Sequence, residues 1–184
     1  SSFLWALRQN LINKKNYFFQ LNGQFNNLSK FNFLQVVGSG NSLSKELNKL
    51  FKKEKIKEDD LIENLDVYYK KYCQDKFLFI IIDEFGKFLE HASKNNPEKE
   101  LYVIQQLAEY VNDKNKNIII ISTLHQEFGA YAKGLTKTQR LEWEKVKGRT
   151  KEVPFNEPVE QLIEISANYI EENFSFKKDQ KNIQ

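Results

Sequence analysis

Residues 77–88 read FLFIIIDEFGKF, six apolar side chains running without a break into the adjacent acids Asp83 and Glu84. A run that never alternates with polar residues predicts a strand with both faces buried. Such strands belong to parallel sheets covered by helices. Downstream, NIIII at 117–121 is a second strand of the same kind, expected to be fully buried and ending in Ser122-Thr123. Upstream, KFNFLQVVG at 30–38 is an extended segment ending at Gly38, and NYFFQL at 16–21 is another.

The stretches between these runs carry helical spacing. Phe3, Leu4, Leu7 and Leu11 predict a helix at the start, and Leu43, Leu47, Leu50 and Phe51 predict one capped by Ser42. Asp59 and Asp60 open a helix whose inner face is Leu61, Leu65, Tyr68 and Tyr72. Asn96-Pro97-Glu98 supplies a cap, a first-turn proline and an acid near the positive end, with Leu101, Ile104, Ala108 and Val111 inward. HQEFGAYA at 125–132 reads as a short helix, and Thr136 with Gln139 as a capping box opening a helix through Val146. TKEVPF at 150–155 predicts a short strand. Pro158 then starts a last helix with Val159, Leu162, Ile163, Ser166 and Ile170 inward. Strands alternating with helices predict an α/β domain over 1–173, a mostly parallel sheet in three α/β/α layers, followed by a polar tail at 174–184.

Composition narrows the function. The 28 basic and 25 acidic residues leave a net charge of only +3, too little for bulk electrostatics to select nucleic acid. The apolar runs are too short to cross a bilayer, and SSFLWALRQN lacks the basic-then-apolar layout of a secretory signal. A lone cysteine, Cys73, excludes an internal disulfide and fits a reducing compartment. The expectation is a cytoplasmic protein with no membrane partner.

In parallel sheets chemistry collects at the carboxyl ends of strands, and the polar signals fall there. An aspartate at position 83 can hold hydrated Mg²⁺, because a hard cation prefers oxygen ligands and keeps several waters. Glu84, pointing elsewhere, can orient or deprotonate an attacking water. The plainer alternative is that Asp83 caps a helix beginning at Glu84. Ser122 and Thr123 would sit beside Asp83 if the two strands are neighbours, near a γ-phosphate or its water; otherwise they cap a turn. His125 follows as a nucleotide-contacting candidate, with a structural role the alternative. Arg149, after Gly148, can reach a phosphate on its own or a neighbouring subunit, or be a surface arginine beside a turn. VVGSGNSLSK at 36–45 lacks the spacing of a phosphate-binding loop. SSFLWALRQN instead has the form of residues following such a loop, with Ser1, and Ser2 beside it, offering a hydroxyl to Mg²⁺. Alternatively the two serines are a helix cap.

Taken together these segments resemble a P-loop ATPase of the AAA+ or STAND type. FLFIIIDE is similar to a Walker B strand, NIIIISTLHQEF to a sensor-1 strand, and WEKVKGRTKEVPFNEPVEQLI to an arginine-bearing segment with the last core strand. IIIDEFGKFLEHA, ELYVIQQLAEYV, TLHQEFGAYA and EWEKVKGR resemble stretches of the large ATPases of BREX-type phage-defence systems. The resemblance covers most of residues 77–163. It implies that Asp83 organises Mg²⁺, Glu84 activates water, Ser122 or Thr123 acts as sensor and Arg149 is a candidate finger. It also implies ATP as ligand, and self-association or other defence-system subunits as partners. The strand and loop that would carry the phosphate-binding lysine (Walker A) are missing from this stretch, so the chain reads as a core fragment beginning just after them. Two rival expectations are a non-catalytic interaction module on the same sheet, and a nucleic-acid-binding domain using lysines such as those of FKKEKIK at 51–57.

Overall fold

The computed structural model describes residues 2–13, 30–51, 60–154, 163–164 and 167–168. The chain divides into two compact units, Ser1–Lys151 and Glu152–Gln184. In the first, the order is α1 (Ser2–Asn13), β1 (Phe31–Val37), α2 (Leu43–Leu50), α3 (Leu61–Tyr72), β2 (Phe77–Asp83), α4 (Phe85–Lys94), α5 (Pro97–Val111), β3 (Ile118–Ser122), a 3-10 turn (Phe128–Ala132) and α6 (Lys137–Lys147). The three strands form one parallel sheet in the order β1-β2-β3, giving a mixed α/β fold. NYFFQL, read as extended, lies outside the described residues.

The start and stop signals act where the sequence places them. Ser42, Asp60 and Asn96 each accept a hydrogen bond from the backbone N–H three residues on. Thr136 and Gln139 close the capping box that opens α6.

β2 is buried because both of its faces are covered. Leu78, Ile80 and Ile82 join Leu34 and Val36 of β1 and Ile118 of β3 in one core with the buried residues of α2 through α6. Burying each such side chain contributes about 1.5–3 kcal/mol before entropy is counted. On the opposite face Phe33 stacks on Phe79, and the Arg8 guanidinium of α1 lies 5.6 Å over the Phe33 ring. Thus α1, with Leu4 and Leu11 buried, covers one side of the sheet, while α2–α6 cover the other.

Four expectations are corrected. β3 is not fully buried: Ile119 is 36% exposed, because no strand lies beyond β3 among the described residues. The inner face of α3 is Leu61, Leu65 and Tyr69, with Tyr72 exposed, since Tyr69 reaches under β3 to accept the Asn117 N–H. TKEVPF forms no strand over its described residues. Residues 151–154 are exposed, no strand among the described residues meets them, and Pro154 has no N–H to offer a ladder. In the second unit, residues 163–164 and 167–168 are helical, but Ile163 is 63% exposed rather than inward, with nothing described in its unit to cover it. The remaining residues of that unit's expected helix and tail lie outside the described set. Among the described residues no helix is long and apolar enough to cross a membrane.

Candidate functional site

Register brings the polar ends together. β1 and β2 pair Val37 with Asp83, and β2 and β3 pair Ile82 with Ser122, so the carboxyl ends of all three strands finish side by side. The Thr123 hydroxyl donates to Asp83 Oδ1 at 2.6 Å and accepts the Glu84 N–H at 3.0 Å. The Glu84 N–H also meets Asp83 Oδ1 at 3.1 Å, closing a triangle of hydroxyl, carboxylate and amide. Next along, Phe85 N–H donates to the Thr123 carbonyl at 2.9 Å. β2 and β3 therefore stay stitched past their last paired residues.

The carboxyl of Asp83 is held below the usual aspartate range. The chain's terminal ammonium contributes most, then the Thr123 hydroxyl, against a desolvation that works upward, with the Glu84 N–H adding a smaller pull. A longer chain would lack the ammonium, whereas the Thr123 and Glu84 contributions belong to the strand ends themselves.

Glu84 sits in the left-handed region, at φ 52° and ψ 43°, and precedes α4 without capping it through its side chain. The expected alternative, Asp83 as the cap of a helix starting at Glu84, is not what forms. Asp83 turns to Thr123 and Glu84 is the bend itself. A bulky residue in this conformation costs roughly 1–2 kcal/mol. The backbone is held there from two sides. Gly38 donates its N–H to the Asp83 carbonyl at 2.8 Å and packs so closely that a Cβ on it would lie 2.1 Å from the Glu84 carbonyl oxygen. On the other side Thr123 binds the Glu84 N–H. The Glu84 carboxylate is paired with the Lys87 ammonium one turn along α4.

The loop after β1 is fixed as well. Asn41 donates to Glu46 at 2.7 Å, Ser42 caps α2, and His91 Nδ1 lies 2.8 Å from the Gly40 carbonyl. Of these contacts only the Ser42 cap was foreseen. Gly38, ending an apolar strand beside the acids, was the one signal in the sequence that a close backbone approach occurs here.

The other candidates are placed as follows. Ser122 is exposed at the last position of β3, and His125 is exposed in the turn beyond it. Ser1 lies outside the described residues, as does the side chain of Ser2. Arg149 follows α6, where its guanidinium binds Glu109 at 2.7 Å and the Lys145 carbonyl at 2.8 Å. Its carbonyl meets Asn112 at the end of α5, toward the amino end of β3, so within this chain it does not stand beside Asp83. Between α5, α6 and the open side of β3 runs an apolar groove of about 230 Å³, with Ile82, Ile104, Ile118 and Val146 among its walls and Arg149 and Lys151 at its rim.

Among the described residues no group of three His, Cys, Asp or Glu could enclose a metal ion. The donor chemistry at Asp83 instead suits a hydrated cation: one oriented carboxylate with a hydroxyl beside it, leaving the remaining positions to waters and phosphate oxygens. Oδ1 already carries two hydrogen bonds, which fixes the carboxylate plane. No protein-family model matches this chain, and neither does any curated protein or solved structure.

Proposed function

We propose that the chain carries the metal and water half of a P-loop ATPase site of the AAA+ or STAND type, within a larger ATP-driven switch or motor. The observation that carries the reading is the hydrogen-bonded triangle of Asp83, Glu84 and Thr123 at the ends of two adjacent parallel strands. In the proposed site Asp83 would hold hydrated Mg²⁺, which would supply charge stabilisation at the phosphates, and Glu84 takes the proton of the attacking water. Thr123 keeps the aspartate oriented, and Mg-ATP supplies the phosphoanhydride when bound. Ser122 and His125 border the same strand end and are assigned contacts to nucleotide or water. Arg149 is assigned to a phosphate of a neighbouring subunit. Resemblance to BREX-type ATPases points to defence against foreign DNA as the setting.

Topology supports the same reading. β1, β2 and β3 are laid down in one direction with their connecting helices on one face, and right-handed crossovers account for nearly all such connections. α1 lies on the opposite face. If α1 follows a parallel strand of this sheet, right-handedness requires that strand to lie on the β3 side, where β3 is open. That is where a phosphate-binding strand and loop immediately before Ser1 would belong.

The test is Mg-ATP turnover by a chain extended upstream to include that strand and loop. Glu84→Gln should lower turnover by about 10²-fold or more while Mg-ATP still binds. Turnover indifferent to both Glu84→Gln and Asp83→Asn would overturn the assignment, and absence of nucleotide binding would favour the non-catalytic interaction module.

A further inference from the structure

The second residue of α4 is Gly86, a poor helix former buried where alanine would be the ordinary choice. A Cβ on it would lie 2.2 Å from the Tyr131 hydroxyl oxygen, 2.5 Å from Cζ and 2.7 Å from Cε1. We infer that Tyr131 is a positioning residue: its ring, seated on Gly86, fixes where α4 starts and so the direction in which Glu84 leaves the sheet. The inference rests on the ATPase reading and assigns a further residue to that site.

The ring closes a bracket that begins at the strand ends. Thr123 holds the Glu84 N–H through its hydroxyl and the Phe85 N–H through its carbonyl. The same segment then turns back, and Tyr131 covers Gly86. One stretch, Thr123 to Tyr131, thus engages residues 84, 85 and 86 in succession. Its far end is anchored on α6. The Trp143 indole N–H donates to the Phe128 carbonyl at 3.2 Å, the two rings are 5.1 Å apart, and Trp143 is fully buried. Tyr131 is itself buried, so its ring cannot yield to a side chain at position 86 without leaving the core.

Glu84 is the joint between β2 and α4, and its left-handed bend is set by how those two elements are held. Gly38 fixes the strand side, through the Asp83 carbonyl and its packing on the Glu84 carbonyl. Thr123 and Tyr131 fix the helix side. A shift in the first turn of α4 would swing Glu84 while Asp83 stayed tied to the Thr123 hydroxyl. The two acids would then fall out of register with each other. A misplacement of about 1 Å at a reacting group costs about 10²-fold in rate.

The experiment has two arms. In this chain, the amides of Glu84 and Phe85 should exchange with solvent about tenfold faster, relative to those of β2, in Tyr131→Leu and in Gly86→Ala. Tyr131→Phe should match the parent, because Cζ and Cε1 keep the ring over Gly86. If Glu84 and Phe85 track β2 in every variant, the positioning role is wrong and the ATPase reading is untouched. In the upstream-extended protein, Tyr131→Leu should lower kcat by about 10- to 100-fold with KM for Mg-ATP within about twofold, and Tyr131→Phe should keep the parent kcat. Protection of β2 amides shows which variants are folded; where Tyr131→Leu does not fold, Gly86→Ala carries the same expectation. Suppose the folded variants keep the parent kcat while Glu84→Gln abolishes turnover, or Tyr131→Phe loses as much as Tyr131→Leu. Then the ring does not position Glu84, and the ATPase reading stands. Turnover indifferent to Glu84→Gln removes both.

Discussion

Replacing Gly38 with alanine should disturb the candidate site and leave the rest of the sheet intact. The added Cβ would stand 2.1 Å from the Glu84 carbonyl oxygen, 2.9 Å from its carbonyl carbon and 3.1 Å from its Cβ. Two of those atoms are backbone, so no flexible side chain can swing aside. Roughly 1 Å of separation must be found by moving β1 from β2 or by unwinding the left-handed bend at Glu84. Both routes strain the 2.8 Å bond from Gly38 N–H to the Asp83 carbonyl. Overpacking of this kind costs about 1–3 kcal/mol, a large share of the 5–15 kcal/mol typical of a domain. Urea unfolding followed by fluorescence suits the measurement, because Trp143 is fully buried in α6 and reports global unfolding. Gly40→Ala is the control: a Cβ there meets nothing within 4 Å, so its midpoint should stay within about 0.5 kcal/mol of the parent. Equal midpoints for the two alanine variants would refute the close approach, and with it the claim that β1 clamps Glu84.

Removing the hydroxyl that links the strands, Thr123→Val, should cost about 1–3 kcal/mol in thermal melts, because Asp83 and the Glu84 amide lose a shared partner; Thr123→Ser should recover most of it. Amide hydrogen exchange should alternate along β3. The pattern set by Thr123 N–H to the Ile82 carbonyl and Leu78 N–H to the Asn117 carbonyl turns Ile119 and Ile121 toward β2 and slows their exchange. Ile118, Ile120 and Ser122 face the open side and should exchange quickly, gaining protection only when a strand is added there; uniform protection in this chain would mean the edge is already covered. Tyr110→Phe should destabilise by about 1 kcal/mol near neutral pH, because the tyrosine hydroxyl donates to Asp66 at 2.9 Å. Burial alone would raise the Asp66 carboxyl, but Lys70 and Tyr110 outweigh it and hold it below the usual range. The stabilisation is therefore present above the ordinary aspartate value and lost as pH falls through the lower folded one, so the gap between the two proteins should narrow in acid melts.

Much of the architecture was legible because it follows from local chemistry. FLFIII predicts a strand buried on both faces, and Ser42, Asp60, Asn96 and Thr136 with Gln139 mark helix starts through side-chain oxygens that reach amides three residues away. What was not legible depends on neighbours. After its asparagine NIIII is as unbroken an apolar run as FLFIII, yet Ile119 is exposed, because burial of a strand is set by what flanks it and, among the described residues, β3 has a partner on one side only. TKEVPF has strand character but no strand to pair with over its described residues. At the site, the sequence brought Asp83, Glu84, Ser122 and Thr123 to strand ends. Only the register showed that Thr123 rather than Ser122 bonds the aspartate: the two hydroxyls are adjacent, and side chains alternate along a strand. Arg149 was a candidate by residue type; within this chain the fold engages it with Glu109, a contact 40 residues apart that no local pattern encodes.

The conformation of Glu84 bears on why an acid occupies that position. Two parallel strands tied together beyond their last pair, with a helix starting at once, force the chain into a left-handed turn after Asp83. Glycine would satisfy that turn without the cost of a Cβ, and asparagine would do so at less cost than glutamate. Neither the fold nor the start of α4 gains from the glutamate carboxylate, which caps no amide. Its structural return is an exposed pair with Lys87, worth less than the roughly 1–2 kcal/mol of strain it accompanies. Strain retained at a position where a cheaper residue fits is what the proposed catalytic role of Glu84 would account for. Here the chemistry that fits is a carboxylate kept next to, and separately movable from, the aspartate that Thr123 locks in place.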